Sequence, residues 1–300
     1  MNLNLLENTQ IDKMKILITN LYIDIFRGSE NWCYAIACEL IRRGHQVDIY
    51  TPMPGKFFNE FEKIGCKFSN EGTYDLILEN HNVLDRNRFK GFIIHTCHGI
   101  VDEEKPMSGV LNVAVSKKAA EHWNLKVVIP NGIDLFRMKP NNSLNPNIKK
   151  VLSLCMSDTA NDLLRQICSD MEVEFESLYG KFVFNVEDKI NSADIVVGVG
   201  RSLLDAMACG RPAVSFDDRY YFKTRMLGYG YITPDKFDKY LKDSWTGNAE
   251  QKTLNKLELA REIFEKYNPL DGKVNRKFIE ENYNISKTVD LYLELYEKTK

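Results

Sequence analysis

The chain's 300 residues are 44% hydrophobic and 27% charged, with a formal net charge of −2. That is the balance of an ordinary globular protein, long enough for one large domain or two modest ones. Residues 1–140 hold 17 basic and 17 acidic side chains, so neither half is the basic surface that marks a nucleic-acid or anionic-membrane binder.

No run of about 18 apolar residues could span a bilayer. The first 13 residues are polar and lack the apolar stretch of a signal peptide. Seven cysteines (Cys33, Cys38, Cys66, Cys97, Cys155, Cys168, Cys209) show no CxxC spacing. An odd number of them, several inside apolar patterns, reads as small buried hydrophobes in a reducing, cytoplasmic setting.

Lys15 to Thr19 reads as a buried strand. A loop ending Phe26-Arg27-Gly28-Ser29-Glu30 leads into a helix that runs to Arg43, with Cys33, Ile36, Ala37 and Leu40 on one face. Gly44 ends it, and Val47 to Tyr50 is the second strand. A β-loop-α-β opening points to a Rossmann-like sheet, yet the dinucleotide fingerprint Gly-x-Gly-x-x-Gly is missing.

Lys56 to Ile64 reads as helix, and Tyr74 to Leu78 and Gly91 to His95 as strands. His95 and His98 then flank Cys97 at a strand end followed by Gly99, a setting that suits solvated or structural histidines better than metal ligands. Val110 to Val115 is a strand, Ser116 caps a helix from Lys117 to Trp123, and Val127 to Ile129 is a short strand. It runs into Pro130-Asn131-Gly132-Ile133-Asp134, where Asn-Gly signals a turn. The Asn- and Pro-rich stretch Lys139 to Lys149 reads as a linker.

Val151 to Leu154 starts a second set of strands, and Phe182 to Phe184 reads as another. Helices are expected over Asp235 to Lys242, Ala249 to Lys266, Asn275 to Glu281 and Ser286 to Tyr296. The last carries Val289, Tyr292, Leu293 and Tyr296 at helical spacing. Tyr220, Tyr221 and Phe222 form an aromatic cluster of the kind that more often fills a core or an interface.

The most informative stretch is IVVGVGRSLLDAMACGRPAVSF, Ile195 to Phe216. It reads as strand, glycine corner, helix, glycine stop and strand, with Gly210 ending the helix and Pro212 preventing its continuation. Such a corner aims unpaired backbone N–H groups, near Gly200, Ser202 and Leu203, at an anion. Arg201 adds a charge-assisted grip. Asp205, one turn in, shares a face with Arg201 and suits sugar hydroxyls. The plainer reading is a buried crossover whose glycines only allow close packing.

The stretch resembles the signature of the retaining, nucleotide-sugar-dependent glycosyltransferases of family four (glycosyl transferases group 1), which have the GT-B fold. Asp205-Ala206-Met207-Ala208-Cys209-Gly210-Arg211-Pro212 stands where that family has glutamate followed by Ala-Met-Ala-x-Gly-x-Pro. Val197 occupies the family's first glutamate position, a departure that touches donor-sugar recognition. RGSE (residues 27–30) with LIRRGHQVDIYTP, and VIPNGID (residues 128–134), resemble the same family's opening and its exit from the first domain.

The resemblance implies an α/β GT-B architecture, two Rossmann-like domains facing across a cleft. The N-terminal, acceptor-side domain would span 14–140 and the C-terminal nucleotide-sugar domain 141–284, with a C-terminal helix at 285–300 crossing back to the first. It implies transfer of a sugar from a nucleotide-diphosphate sugar to a glycan, lipid-linked or other hydroxyl acceptor, with retention, no metal and no bound cofactor. Gly28 and Ser29 would approach the donor, His98 would contact the transferred sugar, Asn131 would lie at the domain exit, and Asn185 would stand near the nucleobase. The family's basic pair after the strand at 151–154 is replaced by Cys155-Met156-Ser157, and Arg201 is expected to supply the missing charge. The acceptor would be met by loops such as Ile23 to Arg27 and Asp102 to Pro106. Alternatives are a sugar-nucleotide epimerase of the same fold, a weak or inactive nucleotide-sugar-binding scaffold, and a transferase with a macromolecular acceptor such as DNA.

Overall fold

The computed structural model describes residues 13–24, 28–100, 102–219, 225–242, 244–247 and 250–300. Arg27 and most of the loop before Gly28, the aromatic residues 220–222, and the start of the helix expected at Ala249 lie outside the described residues.

The first half runs β1 (Lys15–Thr19), β2 (Tyr22–Ile23), α1 (Gly28–Arg42), β3 (Gln46–Tyr50), β4 (Met53–Pro54), α2 (Phe58–Lys63), β5 (Lys67–Phe68), β6 (Gly72–Glu79), β7 (Phe89–Cys97), β8 (Leu111–Ala114) and α3 (Lys117–Trp123). Its sheet has the order β5-β3-β1-β6-β7-β8, with every pairing parallel. Strands covered on both faces need continuous apolar runs, and Ile16, Leu17 and Ile18 of β1 are all fully buried. The chain proceeds outward from β1 in one direction and from β6 in the other. Such a reversal opens a crevice at the strands' C-terminal ends, where doubly wound sheets bind ligands.

The second half runs β9 (Lys150–Ser153), α4 (Asp158–Asp170), β10 (Glu174–Ser177), α5 (Val186–Asn191), β11 (Ile195–Gly198), α6 (Arg201–Ala208), β12 (Ala213–Asp217), β13 (Leu227–Tyr231), α7 (Phe237–Lys242), α8 (Lys256–Phe264), α9 (Asp271–Asn282) and α10 (Ile285–Thr299). Its sheet order is β10-β9-β11-β12-β13, parallel except for the antiparallel β13. The reversal here lies between β9 and β11, so the crevice opens at Gly198–Gly200.

The C-terminal helix crosses back as expected. Ile285, Val289, Tyr292 and Leu293 of α10 join the apolar core built by β1, α1 and β3. Arg43 donates to Ser286 Oγ at 2.8 Å, and Thr96 Oγ1 lies 3.0 Å from Tyr292 Oη. The two crossings between halves are paired to each other, because Ile133 N donates to Tyr283 O at 2.6 Å and Ile285 N to Ile133 O at 3.0 Å.

Three expected elements are corrected. Val127 to Ile129 is no strand but a single bridge, Ala114 to Val128. Phe182 to Phe184 is irregular: its rings pack on the first half, with Phe57 stacked on Phe182 at 4.1 Å and Tyr34 edge-on to Phe184 at 5.4 Å. The helix expected from Ala249 starts only at Lys256, where Asn255 Oδ1 accepts from Glu258 N at 3.0 Å and Glu258 Oε2 accepts from Asn255 N at 2.9 Å. This reciprocal cap satisfies two of the orphan N–H groups at the helix start. Asn255→Ala should lower stability by about 1 kcal/mol, read as a lower urea midpoint at unchanged slope. An unchanged midpoint would show that α8 does not depend on this cap.

Candidate functional site

The glycine corner is built as its sequence demands. Gly200 sits at φ 62° and ψ −127°, a backbone region open almost only to glycine. Gly210 closes α6 at φ 67°. A Cβ on Gly198 would come within 3.0 Å of the Ser202 Cβ, so strand and helix meet closely there.

Arg201, Asp205 and Asn131 form one cluster. Arg201 Nε donates to Asp205 Oδ1 at 2.9 Å, the i to i+4 pairing that helical spacing allows. Arg201 Nη1 donates to Asn131 Oδ1, also at 2.9 Å. The arginine thus ties the head of α6 in the second half to the turn by which the chain leaves the first. Asp205, expected to face ribose hydroxyls, is buried and has one oxygen engaged by Arg201. Leu203 is buried in the core and its N–H donates to Gly200 O at 3.1 Å, while Gly200 N donates to Trp245 O at 3.1 Å, so neither of these two expected donors is unpaired at the corner. Ser202 is half-buried beside it.

Val197, at the first glutamate position, points into an apolar cluster with Val151, Cys155, Val214 and Phe216 and is fully buried. No carboxylate could sit there cheaply. Beside it, the loop after β9 carries an acid partner: Met156 N donates to Asp217 Oδ2 at 3.0 Å, and Arg219 Nε donates to the same oxygen at 2.8 Å.

Across from this corner lies the crevice of the first sheet. His98 follows β7, half-buried, with its ring edge-on to Trp32 of α1 at 5.2 Å and stacked near His81 at 6.4 Å. Its Nε2 lies 3.1 Å from Asn80 Oδ1, and its backbone N donates to Glu104 Oε2 at 2.7 Å. Burial pushes the His98 ring down to about 4, with His81, His95 and Arg201 adding to the fall and Glu104 opposing it. The ring is therefore neutral at physiological pH. Burial alone would raise Glu104, but the hydrogen bond from His81 and the fields of His98 and His81 hold it at about 2. His81 in turn is raised by Glu104 against its own burial.

His95 is separate from this group. It is fully buried, with Nδ1 on Glu79 and Nε2 3.1 Å from the Lys105 carbonyl. Among the described residues no group of three or more His, Cys, Asp and Glu side chains is placed to hold a metal. Burial drives the thiols upward, Cys97 and Cys209 to about 12, so these two are inert as nucleophiles at neutral pH.

Gly28 opens α1 with nothing within 4 Å of where a Cβ would stand. Glu30 occupies the same first turn, where its charge already meets the positive end of the helix dipole. Ser29 Oγ donates to Glu30 Oε2 at 3.2 Å. Asn185 is exposed at the head of α5, without a side-chain cap bond. The neighbouring Phe184 and Glu187 are held by Arg137, whose Nε donates to Glu187 Oε1 at 2.8 Å.

The cleft therefore unites Arg201, Asp205 and Asn131 directly. His98 is joined to them through electrostatics, while Gly28, Ser29 and Asn185 stand on separate elements around them. Sequence reasoning does not single out Asn20, Asn80, His81 or Glu104. The only signal is the place of Asn20, Asn80 and His81 just after apolar strands, where doubly wound sheets open their crevices.

Comparison with known proteins places the fold. No family model matches the chain, and no curated protein sequence does so. Solved structures do match along nearly the whole length. A glycosyltransferase from Rickettsia africae ESF-5 superposes with a TM-score of 0.58 at 12% identity, over 96% of this chain and 98% of its own. The calicheamicin glycosyltransferase CalG4 gives 0.53 at 10% identity, over 96% and 99%. A putative UDP-N-acetylglucosamine 2-epimerase from Listeria monocytogenes gives 0.53 at 12% identity, over 96% and 98%. Two Rossmann-like sheets facing across a cleft, with the last helix returning to the first sheet, define the class: the chain has the GT-B fold.

Proposed function

We propose that this protein transfers a sugar from a nucleotide-diphosphate donor to an acceptor hydroxyl, with retention of anomeric configuration and without a metal. The observation that carries the reading is the Arg201 cluster at the glycine corner, facing a neutral, half-buried histidine across the cleft. As the glycosidic bond breaks, charge grows on the leaving diphosphate. A fixed guanidinium and backbone N–H groups at the head of α6 are preorganised to stabilise it. Arg201 Nη2 has no partner among the described residues, so it can take up a phosphate oxygen.

In this reading Ser202 meets the diphosphate at the corner that Gly200 and Leu203 shape, their own N–H groups being held by Trp245 O and Gly200 O, and Asp205 orients Arg201 as well as the ribose. Gly28 and Ser29 border the sugar, Asn131 anchors the arginine, and Asn185 lies near the base. Residues 14–140 with 285–300 form the acceptor side and 141–284 the donor side. The setting is cytoplasmic, in keeping with seven unpaired thiols. No described helix is long and apolar enough to cross a membrane.

A second reading, a nucleotide-sugar-binding protein without turnover, is favoured by Val197 in the core and by the acid-partnered loop after β9. An epimerase is the rival from the fold itself. A thermal-shift screen of nucleoside diphosphates and their sugars, followed by product analysis, separates them. At about 100 times Kd a ligand adds about 2.7 kcal/mol of stability. A shift with one nucleotide and a transferred sugar supports the transferase. Binding without products supports the scaffold, and a changed sugar released without acceptor supports the epimerase. No shift with any nucleotide sinks all three.

A further inference from the structure

The crevice of the first sheet opens between β1 and β6. Asn20 follows one of these strands and Asn80 the other, and both are fully buried. Their amides are linked in a direction set by a group that cannot be reversed. The Tyr22 carbonyl only accepts, so the Asn20 group 2.7 Å from it is the NH2. Asn20 Oδ1 therefore faces Asn80, whose Nδ2 donates to it at 3.4 Å and to Cys33 Sγ at 3.3 Å. That leaves the Asn80 oxygen facing His98 Nε2 at 3.1 Å. An acceptor there requires the proton on Nε2. In a neutral imidazole Nδ1 is then a bare lone pair, and His98 Nδ1 is buried without a hydrogen-bond partner.

Building on the proposed transfer reaction, we propose that Asn80 is a positioning residue: anchored through Asn20 to the Tyr22 carbonyl, it fixes His98 as the Nε2-protonated tautomer, so that Nδ1 meets the sugar only as an acceptor. The recognised group is then a hydroxyl or an N–H of the substrate. A carboxylate or an ether oxygen at that place would oppose the lone pair.

The surroundings keep the ring neutral enough for this to matter. Trp32 of α1 presents its edge, and His81 stacks from the end of β6. His95 lies on β7, and Arg201 acts from α6 across the cleft. Glu104, a carboxylate that would favour protonation, accepts from the His98 backbone N and pairs with His81 at 3.2 Å.

The test is a long-range proton–nitrogen correlation spectrum of the full-length 15N-labelled protein, without added ligand. The expected proton position is Nε2 at about pH 7, with the ring still neutral near pH 5. Asn80→Asp keeps the shape but sets a carboxylate against Nε2–H, which raises the ring's pKa by about one unit or more. Donor turnover by that variant then falls about tenfold on acidification across the ring's new pKa, where the parent protein is flat, and recovers at higher pH. A purely structural asparagine gives no such acidic limb. A proton on Nδ1 in the parent protein, or an Asn80→Asp variant in which the His98 ring titrates as it does in the parent, overturns the assignment. The parent spectrum decides the tautomer even if the variant fails to fold. A correct tautomer in a protein that binds no nucleotide sugar overturns the sugar as Nδ1's partner and, with it, the transferase reading.

Discussion

Arg201→Ala should weaken binding of a nucleoside diphosphate about tenfold or more, the loss expected when a charge-assisted hydrogen bond is removed. The same change should lower stability by about 3 kcal/mol. Both partners of the Arg201–Asp205 pair are largely withdrawn from solvent, with side chains 14% and 7% exposed. Removing one partner of such a pair leaves a buried charge uncompensated. The two effects separate in a double variant: adding Asp205→Asn relieves the stranded carboxylate and restores most of the stability, but not the affinity. Urea unfolding reads the first and calorimetric titration the second. Unchanged affinity in Arg201→Ala would remove the arginine from the diphosphate site and leave it as a strut between the halves, through Asn131.

Gly132→Ala should be the most damaging small change in the turn that leaves the first half. A Cβ there would stand 2.5 Å from Thr288 Oγ1 and 2.7 Å from Ile285 Cα. One contact is backbone at the very start of α10, so the helix must shift. The shift would disturb the flanking bonds between Ile133, Tyr283 and Ile285 and the 3.0 Å bond from Thr288 Oγ1 to Pro130 O. Overpacking of this sort costs about 1–3 kcal/mol. Gly28→Ala, with open space around its Cβ position, is the control and should leave the unfolding midpoint within about 0.5 kcal/mol. Equal midpoints for both variants would show that α10 does not need its close approach.

What can be read from the sequence is local. The Ile195–Phe216 stretch announces its strand, helix and stops because each depends on its own residues: β-branched strand, left-handed glycines, proline. Ser116 marks the start of α3 for the same reason. Phe182 to Phe184 misleads because alternating aromatics suit an edge strand equally well. Only the tertiary structure decides that the rings go to Phe57 and Tyr34 instead. The relay through Asn20, Asn80 and His98 joins three strand ends far apart in sequence. Nothing in any of those neighbourhoods reveals the strand order that brings them together. Asp205 reads from the sequence as an acid facing sugar hydroxyls, and only the structure shows one of its oxygens held by Arg201.

The return of α10 has a consequence for synthesis. The core of the first half includes Ile285, Val289 and Tyr292, which leave the ribosome after every other described element. Until then the groove over β1 and α1 that they fill is an unfinished apolar surface, of the kind that recruits chaperones or sticks to other chains. The second half, already synthesised, has to fold while its partner waits. The arrangement also couples the two halves kinetically, since loss of the final helix exposes the first half's core rather than merely trimming the second.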